Sequence, residues 1–511
     1  MRVLADSAQM KRMDRRTIEQ MGILSLTLME RAALAVAAWI RDAGMAAGKG
    51  TLVVCGTGNN GADGVAAARI LHLWGFKAAF YIAGDMEKAT EELKAQLHTA
   101  RACHVPCFEE EPDFDSCGVL VDALFGVGLT RPVTGRYAAL LERMNRAEAF
   151  RLAVDLPSGV NADNGQIPGA AFRADVTITL GCEKRGLFLY PGREYAGKII
   201  RADIGIYPGG EAYDCYLPEE KDLDIFLQRR PDGNKGTFGK VLAVAGSESM
   251  SGAAYLCAHA ALCTGAGMVK IQTSHENRIP LMALLPEAMV ECSRAGTDGG
   301  EPEEKWMECL QWCDSLIIGP GLGTDSRAEE RALWFLREGH ALGKTMILDA
   351  DGLNLLSVHP EWRKYLDERV ILTPHMGEMA RLTGISTREL ALDRVRYARE
   401  LAAQTGCVCV LKDACTVTAS ASGSCWISPA GNSGMATAGS GDVLAGILGG
   451  AAARFLSVPA DDSEDYAGKL AACGVLLHGL CGDAAALSEG ENAMTARSMI
   501  LQLRKVLRKK V

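Results

Sequence analysis

The sequence carries 17 cysteines but not one C-x-x-C pair. That excludes the common zinc-ribbon and thioredoxin patterns. The count is odd and the positions are scattered, so the thiols read as small core residues in a reducing compartment. A signal peptide is not expected either, because Met1-Arg2-Val3-Leu4-Ala5-Asp6 is charged too early for one. The longest uncharged run, Ala414 to Gly441, is too rich in Ser, Thr and Gly to span a bilayer. No broad basic surface is legible either: 54 basic residues face 63 acidic ones, for a net charge of −9. Nucleic acid and membrane are therefore not expected as partners, and a cytoplasmic location is. The basic tail Arg504 to Lys510 reads as a solvated helix end.

What is abundant is glycine, 56 of 511 residues, against a usual share of roughly 7%. The glycines cluster beside apolar runs, as ligand loops do on α/β folds. With 48% hydrophobic and 23% charged residues, the chain has material for several large cores. Its length suggests two to four domains.

Asp6 and Ser25 are placed as N-caps of two helices that end near Gly22 and Gly44. The buried strand Thr51–Cys55 then runs into Gly56-Thr57-Gly58-Asn59-Asn60-Gly61-Ala62-Asp63-Gly64, read as a loop before a helix from Val65 to Trp74. This is the form of a phosphate-binding βα turn. It fits G-x-G-x-x-G, yet the acid near Asp85 is poorly placed for a ribose, so an ordinary dinucleotide fold is not favoured. Two further strands end in carboxylates, Asp122 before Ala-Leu-Phe-Gly-Val-Gly-Leu and Asp155 before Leu-Pro-Ser-Gly. Ligands bind beyond the C-terminal ends of parallel strands, so these loops should converge on one crevice. A single such Asp is more often a helix cap; three polar loops on one sheet edge favour a site.

The second half alternates strands and helices again from Lys240. Its strands end at Gly246-Ser247, Gly319-Pro320-Gly321-Leu322-Gly323, Asp349-Ala350-Asp351-Gly352, Pro374-His375 and Lys412-Asp413. The stretch Asn432 to Asp442 is a glycine-rich turn opening into the apolar run Val443 to Leu448. Unpaired N–H groups at such a helix start attract anions. Asp442 at that mouth suits proton transfer from a hydroxyl close to a phosphate; the plain alternative is a capped helix start.

Asn-Asn-Gly-x-Asp-Gly after a strand, Val-Asp-Ala-Leu-Phe-Gly-x-Gly and Val-Asp-Leu-Pro-Ser-Gly resemble the NAD(P)H-hydrate epimerases, from about Met10 to Ile206. By that resemblance Asn60, Asp122 and Ser158 hold a potassium ion, an oxygen-only set that suits a hard cation. Substrate would touch Asn59, Asn60, Gly61, Ala62 and Asp63, then Gly126, Val127, Gly128, Leu129, Thr130 and Arg131, and Tyr137. Asp155 would be the acid/base at the hydrated ring carbon. Ala62 stands where the family has a second glycine.

Lys-Gly-Thr-Phe-Gly-Lys, Gly-Pro-Gly-Leu-Gly, Asp-Ala-Asp-Gly-Leu-Asn, Thr-Pro-His-x-Gly-Glu and Gly-Ser-Gly-Asp-Val-Leu-Ala-Gly resemble the ADP-dependent NAD(P)H-hydrate dehydratases. These are a branch of the ribokinase-like superfamily, and the match covers roughly 228 to 508. The resemblance implies that Ala253, Gly321, Gly323 and His375 contact the hydrated cofactor. Lys412, Asp413, Ala414, Cys415, Thr416 and Gly441 would bind the nucleotide, ADP with Mg²⁺, and Asp442 would be the base. Asp413 replaces the usual glycine.

Together the resemblances imply an α/β protein with a Rossmann-like epimerase domain at 1–217 and a ribokinase-like dehydratase domain at 228–511. Its substrates would be hydrated NADH and NADPH, and a homo-oligomer is expected. Two rival readings are a small-molecule kinase of the same superfamily and a non-catalytic first half serving as a binding module.

Overall fold

The computed structural model describes residues 1–45, 48–129, 131–293, 303–456 and 465–508. The chain divides into two compact units, Val3–Tyr213 and Asp214–Val511, with Met1–Arg2 counted in the second. All 17 cysteines are free thiols.

In the first unit the strands are β1 (Arg2–Ala5), β2 (Thr51–Cys55), β3 (Ala78–Ile82), β4 (Cys107–Phe108), β5 (Val119–Ala123), β6 (Phe150–Val154), β7 (Val176–Leu180), β8 (Glu183–Lys184) and β9 (Lys198–Ala202). Seven of them form one sheet in the order β4-β3-β2-β5-β6-β7-β9, and every pairing in it is parallel. Parallel sheets need both faces covered, which is why β2, β5 and β7 are buried at every position. One cover is the helix Ser25–Asp42 packed on the helix Asn59–Leu73, with alanines at 32, 33, 37, 66 and 67 letting them approach closely. The strand order reverses between β2 and β5, and a ligand crevice opens beyond strand ends at such a point.

Asp6 caps the helix Ser7–Arg15 as expected: it accepts from Gln9 N, and the Gln9 side chain accepts in return from Asp6 N. Ser25 does not act as a cap. Leu24 holds that position, because the Ser25 hydroxyl is spent on Glu92, 3.1 Å away. The expected loop before Val65 is also different. The helix begins at Asn59, so Asn59 to Asp63 form its first turn. Gly61 permits this, since a Cβ there would lie 1.9 Å from the Gly56 carbonyl oxygen. Outside the large sheet, β1 pairs in parallel with β8, setting Leu4 against Glu183 and Ala5 against Lys184.

The second unit contains β10 (Cys215–Leu217), β11 (Lys240–Val244), β12 (Met268–Ser274), β13 (Met289–Ser293), β14 (Ser315–Ile318), β15 (Thr345–Leu348), β16 (Val370–Leu372), β17 (Val408–Leu411), β18 (Val417–Ala419) and β19 (Cys425–Ile427). They lie in the order β13-β12-β11-β14-β15-β16-β17-β18-β19-β10. The strands from β13 through β17 run parallel. β18 is antiparallel to both its neighbours. The helix Tyr466–Glu489 is long and apolar enough to cross a membrane by length and composition, and 72% of its apolar window is buried within the protein.

The helix Ser440–Phe455 packs on the helix Ser251–Cys263 through small residues, among them Gly446, Ala258 and Ala261. A Cβ at Gly446 would sit 2.2 Å from the Cys257 carbonyl oxygen, a backbone atom that cannot swing aside. Gly446→Ala is therefore expected to cost about 1–3 kcal/mol through overpacking. Thermal unfolding of the whole chain reads this directly, and an unchanged midpoint would show that the helices separate freely.

Candidate functional sites

In the first unit the strand ends of β2, β5 and β6 open onto a cavity of about 720 Å³. Asn59, Asn60, Asp63, Gly126, Val127, Gly128, Leu129, Arg131, Tyr137 and Asp155 all line it. Gly61 and Ala62 do not: both are buried, and the Ala62 methyl lies in the core under the helix Ser25–Asp42. Thr130 lies outside the described residues.

Asp155 follows β6 directly and holds a left-handed backbone, φ +68°, a conformation costly for a residue with a Cβ and concentrated at functional sites. Its carboxylate accepts from Leu180 N at 3.1 Å and from Lys184 Nζ. Lys184 is fully buried. It also donates to Thr179 Oγ1 at 3.2 Å and to the Leu180 carbonyl at 2.7 Å. The reading of the sequence missed this lysine. It missed Asp14 too, which lines the same cavity from the helix Ser7–Arg15. Burial pushes the Asp14 carboxyl up to about 6, tempered by Lys184 and reinforced by Asp155. Asp63 is pushed well above the carboxylate range by burial and then by Asp155 and Asp14.

Asp122 is completely buried beneath the cavity floor. It accepts from Ser158 N and Ser158 Oγ, both at 2.7 Å, and from Leu124 N at 3.1 Å. Desolvation still raises it to about 6. Ser158 Oγ in turn accepts from Phe125 N at 2.9 Å. The Asn60 side chain lies against Gly126, and its buried Nδ2 has no hydrogen-bond partner. Asn60, Asp122 and Ser158 thus meet around the turn that begins at Leu124, and each carries a side-chain oxygen.

In the second unit Gly439, at φ +88°, turns the chain into the helix Ser440–Phe455. No side chain caps this helix. Among the described residues the amides of Gly441 and Asp442 have no acceptor. Open N–H groups at a helix start form an anion site. Asp442 sits beside them in the first turn. Burial raises it to about 7; Asp349 and Asp351 add to the rise and Lys412 opposes it. Lys412 donates to Asp349 Oδ1 at 2.6 Å and lies 3.9 Å from Glu378. Its ammonium would be 3.4 Å from a Cβ on Gly441, which puts it at the same turn. Thr373 Oγ1 also donates to Asp349, at 2.6 Å.

His375 pairs with Lys412 across an isolated parallel bridge and caps the helix Met376–Thr383 through Nδ1, which accepts from Gly377 N at 2.9 Å. Its Nε2 is left facing Glu378 at 3.4 Å. Burial, Lys412 and Arg381 all lower its pKa, and Asp349 opposes them. Gly321 and Ala253 are adjacent, since a Cβ on the former would meet the Ala253 methyl at 2.8 Å. Gly323 donates its amide to Asp351 at 2.8 Å. Asp413 is paired with Arg394, so its charge is matched within the protein. Cys415 is buried, and Thr416 Oγ1 is 3.5 Å from the Asp413 carbonyl. Among the described residues no three His, Cys, Asp or Glu side chains form a cage for a metal ion.

The family described as NAD(P)H-hydrate dehydratase matches residues 241–505, and the one described as YjeF-related protein N-terminus matches residues 25–186. The bifunctional NAD(P)H-hydrate repair enzyme of Thermofilum pendens is 36% identical over 99% of this chain and 96% of its own length. That of Coxiella burnetii is 34% identical over 99% of each. The solved ADP/ATP-dependent NAD(P)H-hydrate dehydratase of Bacillus subtilis, co-crystallised with ATP and Mg²⁺, is 30% identical. It covers 57% of this chain and 97% of its own, with a TM-score of 0.44.

Lys412 is the one cation that lowers Asp442, so Lys412→Met should move the Asp442 titration above about 7. Carboxyl carbon NMR of the labelled protein measures it. A titration that stays or falls would mean the lysine charge is not felt at Asp442.

Proposed function

Because the chain belongs to the family of bifunctional NAD(P)H-hydrate repair enzymes, we propose that its first unit interconverts the R and S epimers of hydrated NADH and NADPH. The second unit dehydrates the S epimer with ADP, giving AMP and phosphate. The observation that carries this reading is Asp442: a half-buried carboxyl, raised to about 7, beside open amides and a lysine. A base works best when its pKa lies near the working pH.

In the second unit Asp442 takes the proton of the ring hydroxyl as that oxygen attacks the terminal phosphoryl group of ADP. The amides of Gly441 and Asp442 and the Lys412 ammonium face the charge that develops on the phosphoryl oxygens. Phosphate then leaves the ring, a ring proton is lost and the double bond returns. Mg²⁺ arriving with the nucleotide would neutralise phosphate charge, held mainly by phosphates with at most one or two of the carboxylates Asp349, Asp351 and Asp442. The Arg394 pairing keeps Asp413 from adding an unmatched negative charge near the phosphates. Ala253, Gly321, Gly323 and His375 would receive the hydrated ring.

In the first unit Asp155 moves a proton at the hydrated ring carbon, with Lys184 fixing its carboxylate. Asn60, Asp122 and Ser158 would hold K⁺. Three side chains that can ligate through oxygen, one of them a buried carboxylate, suit a singly charged hard cation. When bound, that ion would supply a fixed positive charge next to the Leu124 to Leu129 turn. A small-molecule kinase would share the glycine turn of the second unit. The epimerase-type first half, with Asp122 and Asp155 both in place, speaks for repair instead.

The test is a mixture of hydrated NADH epimers, ADP and Mg²⁺, followed by the absorbance of the reduced ring. Recovery of the ring is expected; a stable phosphorylated product would mean a kinase. Asp442→Asn should abolish S-epimer dehydration in a folded protein that still binds ADP, and the parent dehydration rate should rise with pH through about 7 as Asp442 ionises. Near-parent turnover in the variant returns Asp442 to a helix-start residue. Asp155→Asn should slow epimerisation by about 10²–10⁴ with dehydration intact; consumption of the R epimer at the parent rate would remove Asp155 from the chemistry.

Epimerisation should also require K⁺. Equal rates with K⁺ and with a large organic cation would leave the Asn60–Asp122–Ser158 set without an ion.

A further inference from the structure

Inverting a hydrated nicotinamide ring asks more than one carboxylate can give. Water adds to the enamine of the dihydro ring so that the hydroxyl ends on the carbon bonded to the ring nitrogen. To invert that carbon, the C–O bond breaks and its electron pair leaves with the oxygen, which takes up a proton. The nitrogen lone pair fills the gap as an iminium. Water then attacks the opposite face and loses a proton. Nothing is consumed; one oxygen is exchanged with solvent. The two proton transfers fall on opposite faces, so an acid and a base are needed there, and they swap roles in the reverse direction. This rests on the epimerase reading of the first unit.

Asp155 supplies one of the two. Lys184 cannot supply the other, because its three N–H bonds are committed to Asp155, Thr179 and Leu180 and its side chain is fully buried. A guanidinium such as that of Arg131 is a donor only and has no basic site to offer, and the Tyr137 hydroxyl is directed at the Ala83 carbonyl. The remaining titratable groups on the cavity wall are Asp14 and Asp63.

Asp63 shares a helix turn with Asn59 and Asn60, beside the strand ends from which Asp155 comes. It therefore stands on the same wall of the cavity as Asp155 and does not reach the opposite face of the ring. Asp14 comes from a different wall. Its helix, Ser7–Arg15, lies outside the seven-stranded sheet and contributes Met10 and Asp14 to the cavity. The capping box at Asp6 and the pairing of Ala5 with Lys184 anchor the start of that helix next to the Asp155 pair. No described residue hydrogen-bonds to the Asp14 carboxyl, so both oxygens are open to a ligand. Its proton exchanges near pH 6, which allows both giving and taking.

We propose that Asp14 is the second acid/base of the epimerisation, serving the ring face opposite the one that Asp155 serves. Asp155 stands at the sheet side of the ring and Asp14 at the helix side, each handling the oxygen on its own face.

The experiment uses the full chain with the separated epimers in ¹⁸O-labelled water, ADP omitted, and background exchange subtracted. Asp14→Asn should lose inversion by about 10²–10⁴. It should still exchange ¹⁸O with retention into the one epimer whose hydroxyl faces Asp155. Asp155→Asn should do the reverse, exchanging only the other epimer. Asp14→Glu should recover part of the inversion. Inversion by Asp14→Asn at the parent rate, with Asp155→Asn inactive, would overturn the role of Asp14 and leave the epimerase reading standing. Equal loss of exchange into both epimers in Asp14→Asn would also overturn it, since that marks a structural role. If neither variant slows inversion, the epimerase reading itself falls.

Discussion

The dominant constraint on both sites is the cost of keeping carboxylates out of water at the ends of parallel strands. A parallel sheet covered on both faces gives its strand ends a low-dielectric setting, and desolvation favours the neutral acid. Asp14, Asp122, Asp442 and Glu378 are all raised to about 6 or 7 with burial as the leading cause. Each site contains one lysine that moderates this: Lys184 lowers Asp14, and Lys412 lowers Asp442 and Glu378. The raised values are also statements about stability. A neutral buried acid contributes fully below its unfolded pKa of about 4, and the contribution is lost as pH rises through the folded value. Near neutral pH these sites therefore trade stability for groups poised to move protons.

The strand-end chemistry was legible because it is local. Asp122, Asp155, His375 and Lys412 each follow an apolar run directly, and the parallel-sheet rule then carries them to one edge. Asp442 was legible for the same reason, as a polar residue at the seam between a glycine turn and an apolar helix. The start of the helix at Asn59 was not. Asparagine and glycine read as a loop by propensity, and only the approach of Gly61 to the Gly56 carbonyl shows that they form a helical turn.

Lys184 and Asp14 were hidden for a different reason. Lys184 belongs to a two-residue strand, too short to leave a pattern, and its burial depends on pairing with Ala5 at the other end of the unit. Asp14 occupies a polar position of an amphipathic helix, which by itself reads as a solvated face. Asp413 shows the same limit from the other side. Beside Lys412 it looked like an unfavourable charge, and its partner Arg394 lies 19 residues back along the chain. Asp349 and Glu378 lay within recognisable motifs, yet nothing local indicates that they share one lysine.

The two lysines differ in what they leave available, and that difference matches the two chemistries. Lys184 spends all three donors inside the protein. It fixes the Asp155 carboxylate and has no proton to present, so on the proposed reading the inversion falls to the carboxyl groups around it. Lys412 makes one short bond, to Asp349, and stands at 3.9 Å from Glu378. Donors remain for an incoming anion, next to the open amides of Gly441 and Asp442. Carrying a hydroxyl from one face of the ring to the other requires a group on each face that can both give and take a proton. Moving a phosphoryl group requires fixed positive charge that is still unspent when the nucleotide arrives. One lysine per site thus produces opposite electrostatic outcomes, decided by how many of its hydrogen bonds the fold consumes.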